Sequence, residues 1–126
     1  MMEKITIHTE GAPAAIGPYA QSIRAGNVIY TSGQLGIDPA TGKLADGVEA
    51  QTHAAMRNLE KVLEAGGAGL RNVVKTTVFV RDLADFAVVN AIYGSYFSGE
   101  FPARSCVQAA ALPKGGLVEI ECVAVL

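Results

Sequence analysis

The segment Val73-Val74-Lys75-Thr76-Thr77-Val78-Phe79-Val80-Arg81 consists mostly of β-branched or apolar residues. Such residues favour extended structure. Apolar side chains occur at both odd and even positions, which is typical of a strand covered on both faces. We therefore predict a central strand over Val73–Arg81.

A helix is predicted on each side of this strand. Before it, Asp46 and Glu49 have the spacing of a capping box, and Gly66-Gly67 is a typical helix end. After it, a second helix is expected to follow Asp85. Each helix carries an apolar stripe at helical spacing. The stripes are Val48, Met56, Leu59 and Leu63 in the first helix, and Phe86, Val89, Tyr93 and Phe97 in the second.

Further strands are predicted towards both ends of the chain. They cover Lys4–His8, Ala20–Arg24, Val28–Ser32, Ser105–Leu112 and Leu117–Val125. The sequence Ala25-Gly26-Asn27 suits a hairpin turn between the second and third of them. The predicted order is ββαβαββ, allowing for the short first strand. We expect an α+β fold with residues 1–126 as one domain, its sheet covered by two helices on one face.

The composition predicts that copies of the chain associate. Half of the 126 residues are hydrophobic and 17% are charged, which is more apolar material than a small domain can bury alone. Two helices cover one face of a sheet, and the other face would carry exposed Val, Ile, Ala and Cys side chains. A closed ring of copies would bury that face; these patterns leave the number of copies open.

The charge and cysteine content indicate which partners and which cellular compartment to expect. The formal net charge is −2 and no basic run occurs, so nucleic-acid binding is not expected. We expect no signal peptide and no membrane span. The expected compartment is the cytosol, with Cys106 and Cys122 reduced. These cysteines fall on strands expected to be neighbours, so a disulfide between them is the alternative.

No metal or organic cofactor is expected. His8 and His53 have no ligand partner at metal-site spacing, and ordinary histidines are the simpler interpretation. The Gly66–Gly69 cluster follows a helix, whereas nucleotide-binding glycine motifs follow a strand. No Gly-x-Ser-x-Gly motif is present for a serine nucleophile.

Polar side chains within apolar strands are the remaining candidates for chemistry. Arg104 either reaches solvent along its stem or meets a buried anion, and its planar guanidinium would suit a carboxylate. Glu119 either is solvated at a strand edge or approaches an apolar region with a perturbed pKa, where it could act as acid or base. Asn90 interrupts the apolar side of the second helix and would need partners if buried.

Together these segments resemble the Rid family, the reactive intermediate deaminases, and specifically its RidA type. The resemblance covers essentially the whole chain. It is carried by Ala15-Ile16-Gly17-Pro18-Tyr19, Ile29-Tyr30-Thr31-Ser32-Gly33-Gln34, Val74–Val80, Val89-Asn90-Ala91, Pro102-Ala103-Arg104-Ser105-Cys106-Val107 and Val118-Glu119-Ile120.

The resemblance implies a chorismate-mutase-like homotrimer with pockets between subunits. It also implies an activity, the hydrolysis of enamines and imines such as 2-aminoacrylate and 2-iminopropionate to 2-keto acids and ammonia. Arg104, at the centre of the expected pocket, would hold the substrate carboxylate. Glu119 would activate water, assisted by backbone groups of Cys106. The pocket lining would be Tyr19, Ser32, the Gly33 backbone and Asn90.

Two other functions are compatible with the same resemblance. A non-catalytic trimer could sense keto or amino acids through Arg104, although binding alone would not need Glu119 near an anionic ligand. An RNA-cleaving translation inhibitor is disfavoured by the acidic charge balance and the lack of a basic patch.

Overall fold

The computed structural model describes residues 3–126, in which one seven-stranded sheet packs against two helices. The strands are β1 Lys4–Ile7, β2 Ser22–Ala25, β3 Val28–Thr31, β4 Gln34–Leu35, β5 Val73–Val80, β6 Ala103–Gln108 and β7 Val118–Val125. The helices are α1 Gly47–Ala65 and α2 Phe86–Ser95. Single 3₁₀ turns cover Leu70–Asn72, Leu83–Asp85 and Pro113–Gly115. The α+β class is confirmed.

The sheet runs in the order β1-β2-β3-β7-β5-β6, and β4 pairs with β7 beyond the end of β3. The pair β5–β6 is parallel and is connected through α2, while the other pairs are antiparallel. The predicted central position of Val73–Val80 is confirmed, since β5 lies between β7 and β6. Consequently β6 is an edge strand of the isolated chain.

The core lies between one face of the sheet and the helices. Met56, Leu59 and Leu63 of α1 are fully buried, as the predicted stripe requires, and Ile120 and Val78 face them from the sheet. Helix α1 ends with paired backbone bonds, from Ala68 N–H to Leu63 O (2.9 Å) and from Gly67 N–H to Glu64 O (3.0 Å). Gly67 has φ +85, which a glycine adopts readily. The predicted helix end is therefore confirmed.

The opposite face of the sheet has no helix over it within residues 3–126. It carries Phe79, Val123 and Glu119, which are half-buried, and Tyr30 and Val125, which are 52% and 36% exposed. We call this the outer face. Valine side chains occur there as expected, but the expected cysteines do not, because Cys106 and Cys122 both pack on the helix-covered side. That association covers this face stays a prediction.

Two local predictions were wrong, and one element was missed. Asp46 makes no side-chain cap, because the chain enters α1 through Gly47 at φ +88. The strand predicted over Ser105–Leu112 covers Ala103–Gln108, where it pairs with β5. The two-residue strand β4 was not predicted at all.

The two cysteines are not on neighbouring strands, contrary to expectation. Cys106 lies on β6 and Cys122 on β7, and β5 runs between them. Val78 pairs with Cys106 on one side and with Ile120 on the other. Both thiols are free.

Candidate active site

A cavity of about 640 Å³ opens beside β4 and the start of β7. Four of the predicted site residues line it: Tyr19, Ser32, Gly33 and Glu119. Most of the remaining wall is apolar and comes from loops before and after β4. The structure therefore brings together about half of the predicted site residues in one concave surface.

Gly33 lets the Glu119 side chain lie against the backbone. A Cβ atom at Gly33 would come 2.8 Å from Cδ and 2.9 Å from Cγ of Glu119. Carbon atoms do not approach so closely, so any larger residue would push the carboxylate away. This explains why the chain has glycine between Ser32 and Gln34.

The Glu119 carboxylate is electrostatically perturbed. Burial raises the pKa of Glu119 above its ordinary value, and the nearby Glu121 carboxylate raises it further. Both residues lie on the outer face, two positions apart on β7. A carboxyl group with a raised pKa holds a proton more readily, which suits a group that exchanges protons with substrate or water.

Gln21 fixes one wall of the cavity and was missed by the sequence analysis. Its side chain is 2% exposed. Its Oε1 accepts from Thr9 N–H (2.7 Å), and its Nε2 donates to Thr9 O (3.0 Å) and Pro13 O (2.8 Å). A glutamine inside a predicted strand was the available signal. Close by, the Ser32 hydroxyl donates to Ala20 O (2.6 Å), which fixes its orientation.

Lys114 also lines the cavity and was not predicted as a site residue. It has φ +59 and ψ 17, in the left-handed region that residues other than glycine rarely adopt. Such conformations cluster at functional sites. Residue type alone gave no signal for it.

The other predicted site residues form a second group, on β6 and α2. The guanidinium of Arg104 donates from Nη1 to Asn90 Oδ1 (2.5 Å). Its Cζ lies 5.3 Å from the ring centre of Phe86 and 5.1 Å from that of Tyr93. Asn90 and Arg104 are both exposed in the single chain, and Asn90 has Arg104 as its hydrogen-bond partner. Arg104 is not part of an ion pair within residues 3–126, where the only one joins Lys61 to Glu64.

Arg104 and Glu119 lie on opposite faces of the sheet. Arg104 pairs with Thr76, which in turn pairs with Cys122 on the buried, helix-covered side. Glu119 is three residues from Cys122 along β7, and side chains alternate between faces. Within one chain, the cavity is therefore not centred on Arg104, and the two groups cannot meet.

The thiols are poor nucleophiles in this structure. Cys106 shares the helix-covered face with Arg104 and is half-buried; burial raises the pKa of its thiol. Burial raises the pKa of Cys122 to about 12. Because the thiolate is the reactive form, neither residue is suited to covalent catalysis. This agrees with a role for Cys106 through its backbone.

Neither metal-ligand clusters nor membrane-spanning helices occur among the residues described. No three His, Cys, Asp or Glu side chains come close enough there to hold a metal ion. Neither α1 nor α2 is long and apolar enough to cross a bilayer.

Comparison with known proteins identifies relatives along almost the whole chain. The family model described as Endoribonuclease L-PSP matches residues 9–126. A Salmonella typhimurium protein named 2-iminobutanoate/2-iminopropanoate deaminase is 51% identical, over 95% of this chain and 96% of its own length. The Arabidopsis thaliana protein named Reactive Intermediate Deaminase A, chloroplastic, is 49% identical over 99% of this chain and 67% of its own.

Solved structures give the same result. The crystal structure of RidA from the Antarctic bacterium Psychrobacter sp. has a TM-score of 0.95 and 48% identity to this chain. The match covers 97% of this chain and 99% of that one. The resemblance seen in the sequence motifs thus extends to the backbone over 97% of the chain.

Proposed function

Since the chain belongs to the Endoribonuclease L-PSP family, in which its near relatives are named deaminases, we propose that it hydrolyses 2-imino acids at a site shared between subunits of a homotrimer. The substrates are reactive enamines and imines such as 2-aminoacrylate and 2-iminopropionate, and the products are a 2-keto acid and ammonia. The observation that carries the shared site is the separation of Arg104 and Glu119 on opposite sheet faces.

A second copy of the chain supplies what each group lacks. The Glu119 cavity opens on the outer face, which carries exposed apolar side chains such as Tyr30 and is uncovered in the single chain. Arg104 and Asn90 lie on the exposed edge formed by β6 and α2. If the edge of one subunit docks against the outer face of the next, Arg104 approaches the neighbour's cavity. Closed rotational symmetry would repeat this contact at each interface.

Each group then has a role in the reaction. The guanidinium of Arg104 holds the substrate carboxylate by paired charge-assisted hydrogen bonds. After the enamine tautomerises to the imine, Glu119 takes a proton from water as the water oxygen bonds to C2. Glu119 passes that proton to the imine nitrogen, which gives the carbinolamine. The hydroxyl proton then moves to the same nitrogen, the C–N bond breaks, and ammonia leaves as the keto group forms. Tyr19, Ser32 and Gly33 line the space around C2, assisted by the Cys106 backbone.

The reaction makes modest demands on the protein. Imines hydrolyse readily in water, so orientation of the substrate and one acid–base group suffice, the latter contributing roughly 10²–10⁴-fold. No metal or organic cofactor is part of this proposal. We place the protein in the cytosol, which the two free thiols support. We expect neither membrane nor nucleic acid as a partner.

The family description names an endoribonuclease, and a non-catalytic sensor is a further alternative. The net charge of −2 disfavours binding of the RNA backbone. A protein that only binds anionic ligands would not benefit from the Glu119 carboxylate in the cavity, because it would repel the ligand's carboxylate. The deaminase proposal accounts for Glu119 as well as Arg104.

Mixing two inactive variants tests the shared site. Arg104→Ala and Glu119→Gln are each expected to lose most hydrolysis of freshly generated 2-iminopropionate. When the two are unfolded together and refolded at equal amounts, random mixing gives about one quarter of the sites both intact groups, provided that each site uses neighbouring subunits. Recovery of activity only in the mixture is the expected result. If the mixture stays inactive although both variants form trimers, the shared site is wrong.

A further inference from the structure

We propose that Phe86 and Tyr93 are positioning residues that hold the Arg104 guanidinium ready for the substrate carboxylate. With Asn90 they form a cradle on one face of α2. This inference rests on the proposed function, because it assigns the cradle to the same carboxylate-binding arginine.

The three residues share a helix face because of their spacing. Positions 86, 90 and 93 are four and three residues apart, which places their side chains along one stripe of α2. Arg104 reaches this stripe from β6. Its Cζ lies within 5.3 Å of both ring centres, inside the range of cation–π attraction. Asn90 accepts a hydrogen bond from Nη1.

One side of the cradle is anchored rigidly in the core. Tyr93 is 3% exposed, and its hydroxyl lies 2.7 Å from the Thr76 hydroxyl. Thr76 is the residue that pairs with Arg104 in the sheet. The ring of Phe97 packs against that of Tyr93, with the two ring centres 5.0 Å apart. The ring under Arg104 is therefore fixed to the strand pair from which Arg104 extends.

The cradle leaves the arginine able to bind an anion. A guanidinium has five N–H donors, and the described contacts use one of them, at Nη1. The two rings offer no hydrogen-bond acceptor oxygen at the guanidinium other than the Tyr93 hydroxyl, which is paired with Thr76, so the remaining donors stay available. Arg104 is exposed on an edge strand, where an unsupported side chain would sample many rotamers. Holding it in place lowers the entropy lost when the carboxylate binds.

The test replaces one ring and restores it. Phe86→Leu removes the π system while keeping an apolar side chain, and Phe86→Tyr retains the ring. We expect KM for 2-iminopropionate to rise roughly two- to fivefold in Phe86→Leu, with kcat nearly unchanged, since exposed cation–π contacts are of this strength. Pyruvate, used as a carboxylate probe, should bind more weakly by the same factor. Phe86→Tyr should restore both values.

A matched control uses another aromatic residue beside α2. The Tyr96 hydroxyl lies 2.8 Å from Nδ1 of His53, and Tyr96 is not one of the aromatic rings beside Arg104. Tyr96→Leu should therefore leave KM and pyruvate binding unchanged. Tyr93→Leu should raise KM as Phe86→Leu does, and Tyr93→Phe, which keeps the ring but loses the bond to Thr76, should raise it less. Thermal unfolding of each variant separates this effect from loss of folding.

Failure of the cradle can be distinguished from failure of the proposed function. If Arg104→Ala is inactive while Phe86→Leu behaves like Tyr96→Leu, the cradle is wrong and the deaminase proposal survives. If Arg104→Ala hydrolyses 2-iminopropionate normally, both are wrong. Combining Phe86→Leu with Arg104→Ala at high enzyme concentration should add no further loss, because the cradle acts only through Arg104. An additive loss would overturn the proposal.

Discussion

Arg104 is proposed to bind the substrate carboxylate. Replacing it by lysine tests whether the planar guanidinium is needed for this, or only its positive charge. Lysine keeps the positive charge but loses the planar fork, so the carboxylate would be held at a different depth. Losing a charge-assisted hydrogen bond costs roughly 1.5–3 kcal/mol, and a displaced C2 would also miss the activated water. We expect at least about a hundredfold fall in kcat/KM for Arg104→Lys with 2-iminopropionate.

The control for this variant is the size of the assembly. The trimer should persist, because an arginine whose exposed donors face a ligand is not needed for apolar packing between subunits. Glu119→Gln should instead lower turnover while pyruvate still binds. Near-wild-type hydrolysis by Arg104→Lys would contradict the carboxylate role. Inactivity caused by dissociation would make Arg104 a structural residue.

The pH dependence of the reaction is set by the Glu119–Glu121 pair. Burial is the larger cause of the raised Glu119 pKa, and the negative charge on Glu121 raises it further. If ionised Glu119 is the base, kcat/KM rises as the pH passes this pKa. Glu121→Gln removes the repulsion, lowers the Glu119 pKa and should move the acid limb to lower pH. A pH–rate profile measures the shift; an unchanged or raised limb would contradict the assignment.

At the level of elements, the sequence predicted those whose signals are local. The hairpin at Gly26 (φ +61), the end of α1 at Gly66-Gly67 and the start of α2 after Asp85 all follow from residues within one turn. The bounds of β6 and the existence of β4 depend on pairing with distant strands. The hydrophobic periodicity of one segment says nothing about the strands it pairs with. The bounds of β6 were therefore predicted wrongly, and β4 was missed.

The site was predictable by residue type but not by arrangement. Tyr19, Ser32, Gly33 and Glu119 do meet in one cavity. Asn90 and Arg104 also meet each other. The division into two groups follows from the register of β5 between β6 and β7, which no motif specifies. Gln21 and Lys114 were missed because their contribution lies in loop geometry.

The loop before β2 depends on Gln21, and its removal should affect both stability and binding. Gln21→Leu leaves the backbone groups of Thr9 and Pro13 without their present partners. Each buried unsatisfied group costs about 1–3 kcal/mol of unfolding free energy. Urea denaturation should show a loss in this range, and KM should rise because Pro13 lines the cavity.

Gln108→Leu is a matched control for this prediction. Gln108 is an exposed glutamine with a single side-chain bond, from Leu83 N–H (2.9 Å). Its replacement should cost less unfolding free energy than Gln21→Leu, since water can replace the lost partner. Equal losses in the two variants would show that the buried network around Gln21 does not stabilise the loop.

For the molecule as a whole, the proposed trimer depends on the outer face of the sheet. Val123 lies at its centre, paired with Tyr30 on β3 and Lys75 on β5. A carboxylate placed there would lose its hydration if a second copy covers it, and pairing with Lys75 would offset that cost only in part. Light scattering at micromolar concentration should find a trimer for the unaltered protein and smaller species for Val123→Asp, with hydrolysis lost in parallel.

The control for the trimer prediction places the same charge on the other side of the sheet. Ile5 is an exposed strand residue on β1 (44%) whose partner Arg24 pairs with Ile29, which faces the helices. Ile5→Asp should therefore stay trimeric and active. A stable, active monomer of the unaltered protein would overturn the ring and the shared site together. Dissociation by Val123→Asp alone, with activity lost, would tie catalysis to the meeting of Arg104 with a neighbour's Glu119.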